Sequence, residues 1–586
     1  MKIAPRLSAE YPLLASMAAL FVAVTAVHAA ESALGPDQAS LQTNAFREFS
    51  VEQQYLNIPI KNGAVKRKVT TFVDGRLAVT NDIELADAQP DWWAAMDVSA
   101  WRGKTVRLQV DQLPGDSMAL NLVQPSDSIQ GAENLYHESL RPQLHFSPRR
   151  GWTNDPNGLS FYRGEYHLFF QHNPYGWAWG NMHWGHATSR DLVHWREHGD
   201  VLAPDGLGPM YSGSAVVDWK NTSGFGRDGR SPLVLIYTAA GNPFTQCLAF
   251  SNDGRTFTKF SGNPVLGNLT SGNRDPKVAW YEPTQRWVMV LYVGLPIGGA
   301  GLDAKGKPIA KHTIHFFTSP NLRDWTLASV TDGGIGDDHF LYECPDFFEL
   351  PVDGAASEAK WVLSAASGEY AVGSFDGTKF TPETARLPGP YGHAFYAAQT
   401  YSDMPDGRRI QIGWGRVPSP GMPFNQLQLL PCELRLRRIP EGPRLTRAPI
   451  PELAALRDGP NQSAALTSFR AELIELQAEF EPGSSGVCEF RIRGAKILYD
   501  GATQEVLVNG LRAPAPLIGG KQRLTVYIDR TVMEVYASAG LTYVPMPFIP
   551  KPEDKSVTVD VRGANAKMTS LQVYKLKSIW EPSSWK

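Results

Sequence analysis

The central part of the chain alternates short apolar or aromatic runs with clusters of turn residues. Four of these runs are rich in aromatic and β-branched side chains: Tyr166–Gln171, Leu233–Thr238, Trp287–Val293 and Lys360–Ala365. Each run is too short for a typical helix and has Gly, Asn or Pro close to its ends, which is the pattern of a β-strand. The pattern therefore predicts an all-β protein.

A turn pattern recurs four times among these runs. It consists of Ser, any residue, Asp or Asn, then Leu or Gly, with an aromatic residue three positions later, and it begins at Ser189, Ser251, Ser319 and Ser374. The interval of roughly 55 to 70 residues is that of a repeating structural unit, and four short strands per unit make up the blade of a β-propeller. The alternative is a set of ordinary Asx turns in an all-β protein without a repeat.

Three acidic residues occupy similar places in these units. Asp155, Asp275 and Glu343 each stand roughly 30 to 45 residues before the Ser of their unit. This position falls near the innermost strand of a blade. Because the innermost strands surround the axis of a propeller, we expect the three acids to meet in one axial pocket.

Six motifs in this order resemble the signature of glycoside hydrolase family 32, the invertase, inulinase and levanase family: Trp152–Gly158, Phe169–Pro174, Trp179–His186, Tyr211–Ala215, Arg274–Pro276 and Glu343–Pro345. The resemblance covers roughly residues 140–580. It implies a five-bladed β-propeller followed by a β-sandwich. It also implies retaining hydrolysis of β-fructofuranosides.

By this resemblance, Asp155 is the nucleophile, Glu343 is the acid/base and Asp275 holds sugar hydroxyls. A carboxylate on one face of the sugar traps the oxocarbenium-like state, and an acid on the other face protonates the leaving oxygen. The two groups need different pKa values. We expect the polar turn around Asp155 to favour its ionised form, and Arg274 to keep Asp275 ionised.

The same resemblance implies the lining of a pocket for the terminal fructose: Trp152, Asn154, Gln171, Trp179, Ser212 and Arg274. Trp184 is open to two interpretations, ligand contact or packing within a blade. Many members carry an Asp before the Phe-Tyr-Ala run of the fifth blade, whereas Ala394 stands there in this chain. This departure leaves the outer subsite and the tuning of Glu343 open.

Composition adds few constraints on ligands. The formal net charge of −3 argues against a nucleic-acid or anionic-membrane partner. Six of the 13 histidines lie between His167 and His198, but no Cys or Asp completes a zinc set with the usual spacing, so we expect no metal and no cofactor. Four cysteines are too few for a disulfide framework. The oligomeric state is left open.

The N-terminus predicts export. Lys2 and Arg6 precede a mostly apolar stretch, Leu13–Val24, and small residues follow up to Ala29. We therefore expect a signal peptide that is cleaved near Ala29, and a secreted or periplasmic protein. A retained membrane anchor is the alternative, although the stretch is short for a span of about 20 residues.

Strand patterns and composition predict the following order: signal peptide 1–29, linker 30–44, accessory N-terminal β-domain 45–130, five-bladed propeller 138–438, linker 439–457 and C-terminal β-sandwich 458–586. The predicted function is that of an exo-acting fructan β-fructosidase or levanase. Alternatives are an invertase or a fructosyltransferase with the same three acids, and a non-catalytic sugar-binding propeller. The N-terminal domain either binds polysaccharide or braces the propeller.

Overall fold

The secondary structure is almost entirely β-strand in the residues that the computed structural model describes, which are 41–270, 272–304, 306 and 308–580. This part contains one α-helix, α1 (Ala119–Leu122), and short 3-10 segments at Ser99–Trp101, Glu282–Thr284, Pro451–Leu456, Ser463–Ala465 and Ser538–Gly540. No helix in these ranges has the length and apolarity to span a membrane. The predicted signal peptide lies outside the described residues, and the all-β prediction is confirmed.

Two small sheets precede the central region and share one apolar core. Their strands are β1 (Leu41–Ser50), β2 (Tyr55–Ile60), β3 (Lys66–Val73), β4 (Arg76–Glu84), β5 (Trp92–Asp97), β6 (Thr105–Pro114) and β7 (Gln124–Ser126). Strand β1 begins inside the range 30–44 that was expected to be a linker. It does so because its backbone pairs with β6 from Leu41 onward, and this pairing is not visible in the polar composition of the segment.

Five antiparallel units form the central region. The first contains β8 (Gly151–Tyr162), β9 (Glu165–Asn173), β10 (His183–Ser189) and β11 (Arg196–Leu202). The second contains β12 (Met210–Val217), β13 (Leu233–Ala239), β14 (Thr245–Ser251) and β15 (Thr258–Lys259). The third contains β16 (Arg274–Tyr281), β17 (Arg286–Pro296), β18 (Ala310–Ser319), β19 (Thr326–Ile335) and β20 (Asp338–His339).

The fourth unit contains β21 (Asp346–Val352), β22 (Ala355–Ser364), β23 (Tyr370–Phe375) and β24 (Phe380–Pro382). The fifth region contains β25 (Phe395–Thr400), β26 (Arg409–Gly415), β27 (Phe424–Asn425), β28 (Leu427–Gln428), β29 (Cys432–Ile439) and β30 (Gly442–Pro449). Strand β30 falls inside the range 439–457 that was expected to be a linker. It pairs with β29 along its whole length, so the last sheet extends to Pro449.

The first strands of the five units form a closed ring. Strand β8 contacts β12, which contacts β16, and the order continues through β21 and β25 back to β8. Strand β27 also pairs with β8, so a segment from the end of the region joins the first sheet. This cyclic order is the arrangement of blades around a propeller axis.

The recurring turn pattern lies between the third and fourth strands of four blades. In each case the side-chain oxygen of the Asp or Asn accepts two backbone N–H groups of the turn, as Asp191 does from Val193 and His194. The repeat and the Asx turns are therefore the same feature. The Leu-or-Gly position has positive φ in all four turns, which Gly tolerates freely and which Leu192 and Leu322 adopt with their side chains fully buried.

Two five-stranded sheets enclose a separate apolar core after the propeller. Their strands are β31 (Ile474–Glu481), β32 (Val487–Ile492), β33 (Ala495–Asp500), β34 (Glu505–Val508), β35 (Leu511–Pro514), β36 (Gln522–Ile528), β37 (Val532–Ala537), β38 (Thr542–Pro547), β39 (Val557–Arg562) and β40 (Lys567–Lys575). Alternating buried and exposed positions along these strands place the apolar side chains between the sheets.

A buried ionic network joins this sandwich to the propeller. His145, just before β8, lies with Nδ1 2.8 Å from Asp529 Oδ2 and Nε2 3.0 Å from Glu534 Oε1. Glu534 also accepts a hydrogen bond from the Tyr543 hydroxyl at 2.9 Å and from the Leu430 N–H at 2.9 Å. All three charged side chains are fully buried. A carboxylate only accepts hydrogen bonds, so both ring nitrogens of His145 must carry protons.

We expect His145→Gln to remove a pH-dependent part of the stability. Burial of the His145 ring opposes its charge, but hydrogen bonds to Asp529 and Glu534 outweigh burial and raise its pKa to about 9. The unfolded value is about 6.5. The stabilisation is therefore fully present below about pH 6.5 and is lost as the pH rises through about 9, with a size on the order of 3 kcal/mol.

Calorimetric melting temperatures between about pH 6 and pH 10 measure this effect. The wild type should lose stability more steeply than the Gln variant across this range, and the variant should be the less stable protein at pH 6. Equal slopes in the two proteins would show that His145 is not a buried cation.

Candidate active site

One end of the ring departs from regular strand geometry in several blades at once. Register shifts occur in β8, β12, β16 and β25 close to the ends that carry the family-like motifs. Asp275, Glu343, Cys344 and Ala397 have φ values between 43° and 65°, which are rare for residues other than Gly. Bulges and positions of strained backbone can redirect side chains, so that residues of different strands face a common point. The candidate site lies at this end.

Asp155 on β8 is held by three donors. Ser212 Oγ donates to its Oδ2 at 2.6 Å, Asn154 Nδ2 donates to its Oδ1 at 3.1 Å, and Cys344 Sγ lies 3.3 Å from Oδ2. The indole N–H of Trp152 donates to Asn154 Oδ1 at 3.0 Å, which fixes the orientation of that amide. The carboxylate is therefore positioned before any ligand arrives.

Asp275 at the start of β16 shares a partner with Asp155. Its Oδ2 accepts the backbone N–H of Cys344 at 3.0 Å and lies 3.5 Å from Cys344 Sγ. Its own N–H donates to Thr238 Oγ1 at 3.0 Å. Cys344 therefore contacts both carboxylates, a role that the cysteine count of the sequence did not reveal. Cys344 is free and buried.

Glu343 is held from two sides. Arg274 Nη2 donates to its Oε2 at 2.9 Å, and the Tyr396 hydroxyl donates to its Oε1 at 2.7 Å. Arg274 lies over the ring of Tyr292, 4.6 Å from its centre, and Nε of the same guanidinium is 3.6 Å from Asp275 Oδ2. Arg274 therefore links two of the three acids.

Tyr396 was not predicted as a site residue, although the Phe-Tyr-Ala run that contains it is recognisable in the sequence. The missing signal was the fold itself, since β25 brings this run beside Glu343 from the fifth blade. Ala394, which replaces the usual Asp of that run, is fully buried. Arg416 lies over the Tyr396 ring at 5.0 Å and adds a second cation near this side of the site.

The pKa values of Asp155 and Asp275 differ from the expectation. Burial raises the pKa of Asp155, and the hydrogen bond from Ser212 only partly opposes it. Burial also raises the pKa of Asp275 to about 7, in spite of the Arg274 charge, and the nearby carboxylate of Glu343 adds to the rise. The polar donors and Arg274 lower these pKa values as expected, but burial outweighs them and the net shift is upward. The local sequence shows polar neighbours but not the depth of burial.

Aromatic side chains surround these acids. Trp152 contacts Trp414 edge to face with ring centres 5.9 Å apart, and Trp179 contacts Tyr211 in the same way at 5.8 Å. Trp179 remains 49% exposed, so most of one ring face is open to a ligand. Trp184 is fully buried in the apolar core that the first two blades share. This burial favours the packing interpretation of Trp184.

Most of the predicted pocket residues form one connected network. Direct contacts join the three acids with Trp152, Asn154, Ser212 and Arg274. Gln171 lies on β9 and is buried, and its side-chain Nε2 has no hydrogen-bond partner among the described residues. Trp179 stands on the loop before β10, outside the network. Neither side chain hydrogen-bonds to the acids, and contact of these two residues with a ligand stays a prediction.

The clustered histidines bond to protein groups. His172 Nδ1 lies 2.6 Å from Asp200, and His167 Nδ1 lies 3.0 Å from His186 Nε2. Across the described ranges, no group of three or more His, Cys, Asp or Glu side chains is arranged to hold a metal ion. Asp275 and Glu343 stand close to Arg274, a cation that competes with any metal for their charge.

Comparisons with known proteins agree with the motifs. Residues 145–449 match the N-terminal domain of glycosyl hydrolases family 32. A levanase of Bacillus subtilis is 37% identical over 77% of this chain and 73% of its own length. An extracellular exo-inulinase of Aspergillus niger is 30% identical over 76% of this chain and 96% of its own. The crystal structure of an exo-inulinase from Aspergillus awamori superposes with a TM-score of 0.65 and 28% identity, covering 76% of this chain and 100% of that one.

We expect Asp275→Asn to stabilise the protein in a pH-dependent way. The pKa of Asp275 is raised to about 7 in the folded protein and is about 4 in the unfolded chain. The folded carboxyl group keeps its proton over a range in which the unfolded one has lost it, so wild-type stability falls as the pH rises from about 4 to about 7. The neutral amide avoids this loss, which is on the order of 1–4 kcal/mol above pH 7.

The measurement is the melting temperature of both proteins from about pH 4 to pH 8. The advantage of the variant should grow across this window and then level off. Asp116→Asn, which alters an exposed acid of the N-terminal sheets, is the control and should show no such trend. A pH-independent difference for Asp275→Asn would contradict the raised pKa.

Proposed function

Because this chain belongs to glycoside hydrolase family 32, we propose that it releases fructose from β-fructofuranosides, with Asp155 as nucleophile and Glu343 as general acid/base. The observation that carries this proposal is the meeting of Asp155, Asp275 and Glu343 in one cluster, in which Cys344 links Asp155 to Asp275 and Arg274 links Asp275 to Glu343. A non-catalytic sugar-binding propeller has no need to keep three carboxylates together, since the charge repulsion lowers stability.

The first half of the reaction uses Asp155 and Glu343. The Asp155 carboxylate forms a bond to the anomeric carbon while Glu343 gives its proton to the leaving oxygen. Arg274 and Tyr396 donate to the Glu343 carboxylate, so they stabilise the form that remains after the proton has left. In the second half, the same carboxylate takes a proton from water, and the resulting hydroxide displaces Asp155.

Asp275 is placed to hold the sugar rather than to react. Its Oδ2 is occupied by the Cys344 N–H and thiol, and its Oδ1 accepts no hydrogen bond from the described residues. We infer that Oδ1 accepts from fructose hydroxyl groups. Burial of Asp275 strengthens such a bond, because no water competes for the oxygen.

Two features favour attack on the end of a fructan chain. Trp152 and Trp414 pack against each other next to Asn154 and Asp155, and we infer that these rings and Trp179 bind one terminal sugar. Relatives of this chain carry the names levanase and exo-inulinase. We infer exo-action on a fructan, with levan as the first substrate to test.

Export is the location that fits this substrate. Fructan polymers are too large to cross a cell membrane, and several relatives are named extracellular. The predicted signal peptide at 1–29 supplies the route. Fructan or sucrose is the partner that we infer.

Replacing either reacting acid should remove turnover and leave the fold intact. Asp155→Asn takes away the nucleophile and Glu343→Gln takes away the proton donor, so each should lower turnover on sucrose and on levan by at least about 10²–10⁴. Ser212 and Tyr396 are still able to bond to the amide oxygens, and melting curves should show folded proteins. Asp116→Asn is the control with full activity. Near-normal turnover of either folded acid variant would contradict the role assignments.

The first product released from levan tests both stereochemistry and mode of attack. Early proton NMR should show β-fructofuranose before mutarotation, because two displacements at the anomeric carbon retain its configuration. Free fructose should dominate over oligosaccharides from the start. An α-anomer would indicate single displacement, and early oligosaccharides would indicate attack within the chain.

A further inference from the structure

A second aromatic groove lies at the end of the propeller ring opposite the acids. Strand β12 begins near Ser212, which contacts Asp155, and Trp219 follows its far end. Strand β16 likewise runs from Asp275 toward Trp280. Seven strand residues span about 20 Å, so the two tryptophans stand well away from the catalytic site.

Two adjoining cavities form this groove. One has a volume of about 330 Å³ and the other of about 410 Å³. They share five lining residues, Ala279, Trp280, Glu282, Ser402 and Arg409, and Trp219 lines the first cavity only. Each cavity lies within the lower part of the size range of small-molecule sites, which suits one or two sugar units.

The tryptophan rings in the groove are held rigidly. Trp219 is 62% exposed, yet its indole N–H donates to Asp403 Oδ1 at 2.8 Å. Trp280 packs edge to face on Trp287 with ring centres 5.0 Å apart, and its indole N–H donates to Glu282. A fixed, exposed ring presents a flat apolar face at little cost in side-chain entropy. This is what the C–H face of a sugar ring requires.

Polar groups stand beside these rings. Lys220 Nζ lies 4.8 Å from the centre of the Trp280 ring and 3.6 Å from Glu282 Oε1. Arg409 lines both cavities, and its buried Nε has no hydrogen-bond partner in the described part of the chain. Leaving such a donor unpaired is unfavourable. Aromatic faces flanked by acceptors and cations match the alternating C–H and hydroxyl surface of a saccharide.

We propose that this groove is a second binding site for fructan chains, separate from the catalytic pocket. The inference rests on the proposed function, because it assumes that the substrate is a polymer long enough to reach both ends of the propeller. Binding at the groove keeps a polymer on the enzyme while one of its free ends enters the pocket. The benefit is a higher local concentration of chain ends.

A protein partner fits the groove less well. Stable protein interfaces bury about 800 Å² on each side, whereas the exposed apolar surface here centres on the single ring of Trp219. The recesses beside it are narrow and lined by charged side chains. A saccharide fills such recesses, and a second copy of the chain is an outcome that the test below distinguishes.

The test is affinity electrophoresis of the Asp155→Asn enzyme through gels that contain levan. The comparison is repeated with Trp152→Ala added, which weakens the catalytic pocket and leaves the groove intact, so the retardation that remains in that background reports the groove. Adding Trp219→Ala should weaken this retardation by about threefold to tenfold, the loss that follows from one aromatic contact. Leu327→Ala, which removes another exposed apolar side chain from the outer strand β19, is the matched control and should change nothing.

Steady-state kinetics with Asp155 intact give a second readout. Trp219→Ala should raise KM for levan severalfold and leave kcat on levan, and both constants on sucrose, unchanged. Unchanged retardation, an equal loss on sucrose, or a dimer that Trp219→Ala converts to a monomer would each overturn the groove proposal. If the wild type releases no fructose from any fructoside, the proposed function fails instead, whatever the gels show.

Discussion

Three carboxylates and one arginine share a buried space at one end of the propeller, and much of the structure serves to hold them there. Each acid comes from a different blade, so the cluster exists only while the ring is closed. Beneath it, Lys277 Nζ lies 3.1 Å from Asp346 Oδ1 and donates to the Thr400 carbonyl at 2.7 Å. This buried ion pair ties the third, fourth and fifth blades together. The repulsion among the acids is thereby resisted by this ion pair and by the backbone pairing of β27 with β8 that closes the ring.

The same crowding explains the irregular backbone. A regular strand points alternate side chains to opposite faces, which would turn some of these acids away from the axis. Bulges in the first strands and positive φ values at Asp275 and Glu343 redirect them. Strain of this kind persists only where surrounding contacts over-determine it, and here the contacts of Cys344 with two acids do so. The strained backbone lowers the local stability, and the same backbone geometry brings the acids together.

The flanking domains support this arrangement from outside. On one side, His145 locks the C-terminal sandwich to the segment that leads into β8, the strand of Asp155. On the other side, the Asn181 side chain exchanges two hydrogen bonds of 2.8 Å with the backbone of Asp82 on β4. Asn181 lies two residues after Trp179, so the N-terminal sheets hold the loop that carries this ring. The contact favours the bracing interpretation of the N-terminal domain.

The local sequence was sufficient to predict features that depend on interactions between residues close in the chain. Aromatic and β-branched runs predicted the strands, and the recurring turn predicted the blades. Both succeeded because strand propensity and the hydrogen bonds of an Asx turn depend on residues that are close in sequence. The order of the motifs pointed to the three acids, which the fold does bring together. Three features depended on burial and long-range contact and needed the fold. They are the raised pKa of Asp155 and Asp275, the contacts of Tyr396 and Cys344 with the acids, and the pairing of β1 with the distant strand β6 in a range that was expected to be a linker. A sequence shows only the neighbours of a residue along the chain, whereas the free energy of a buried charge depends on every group that surrounds it in the folded protein.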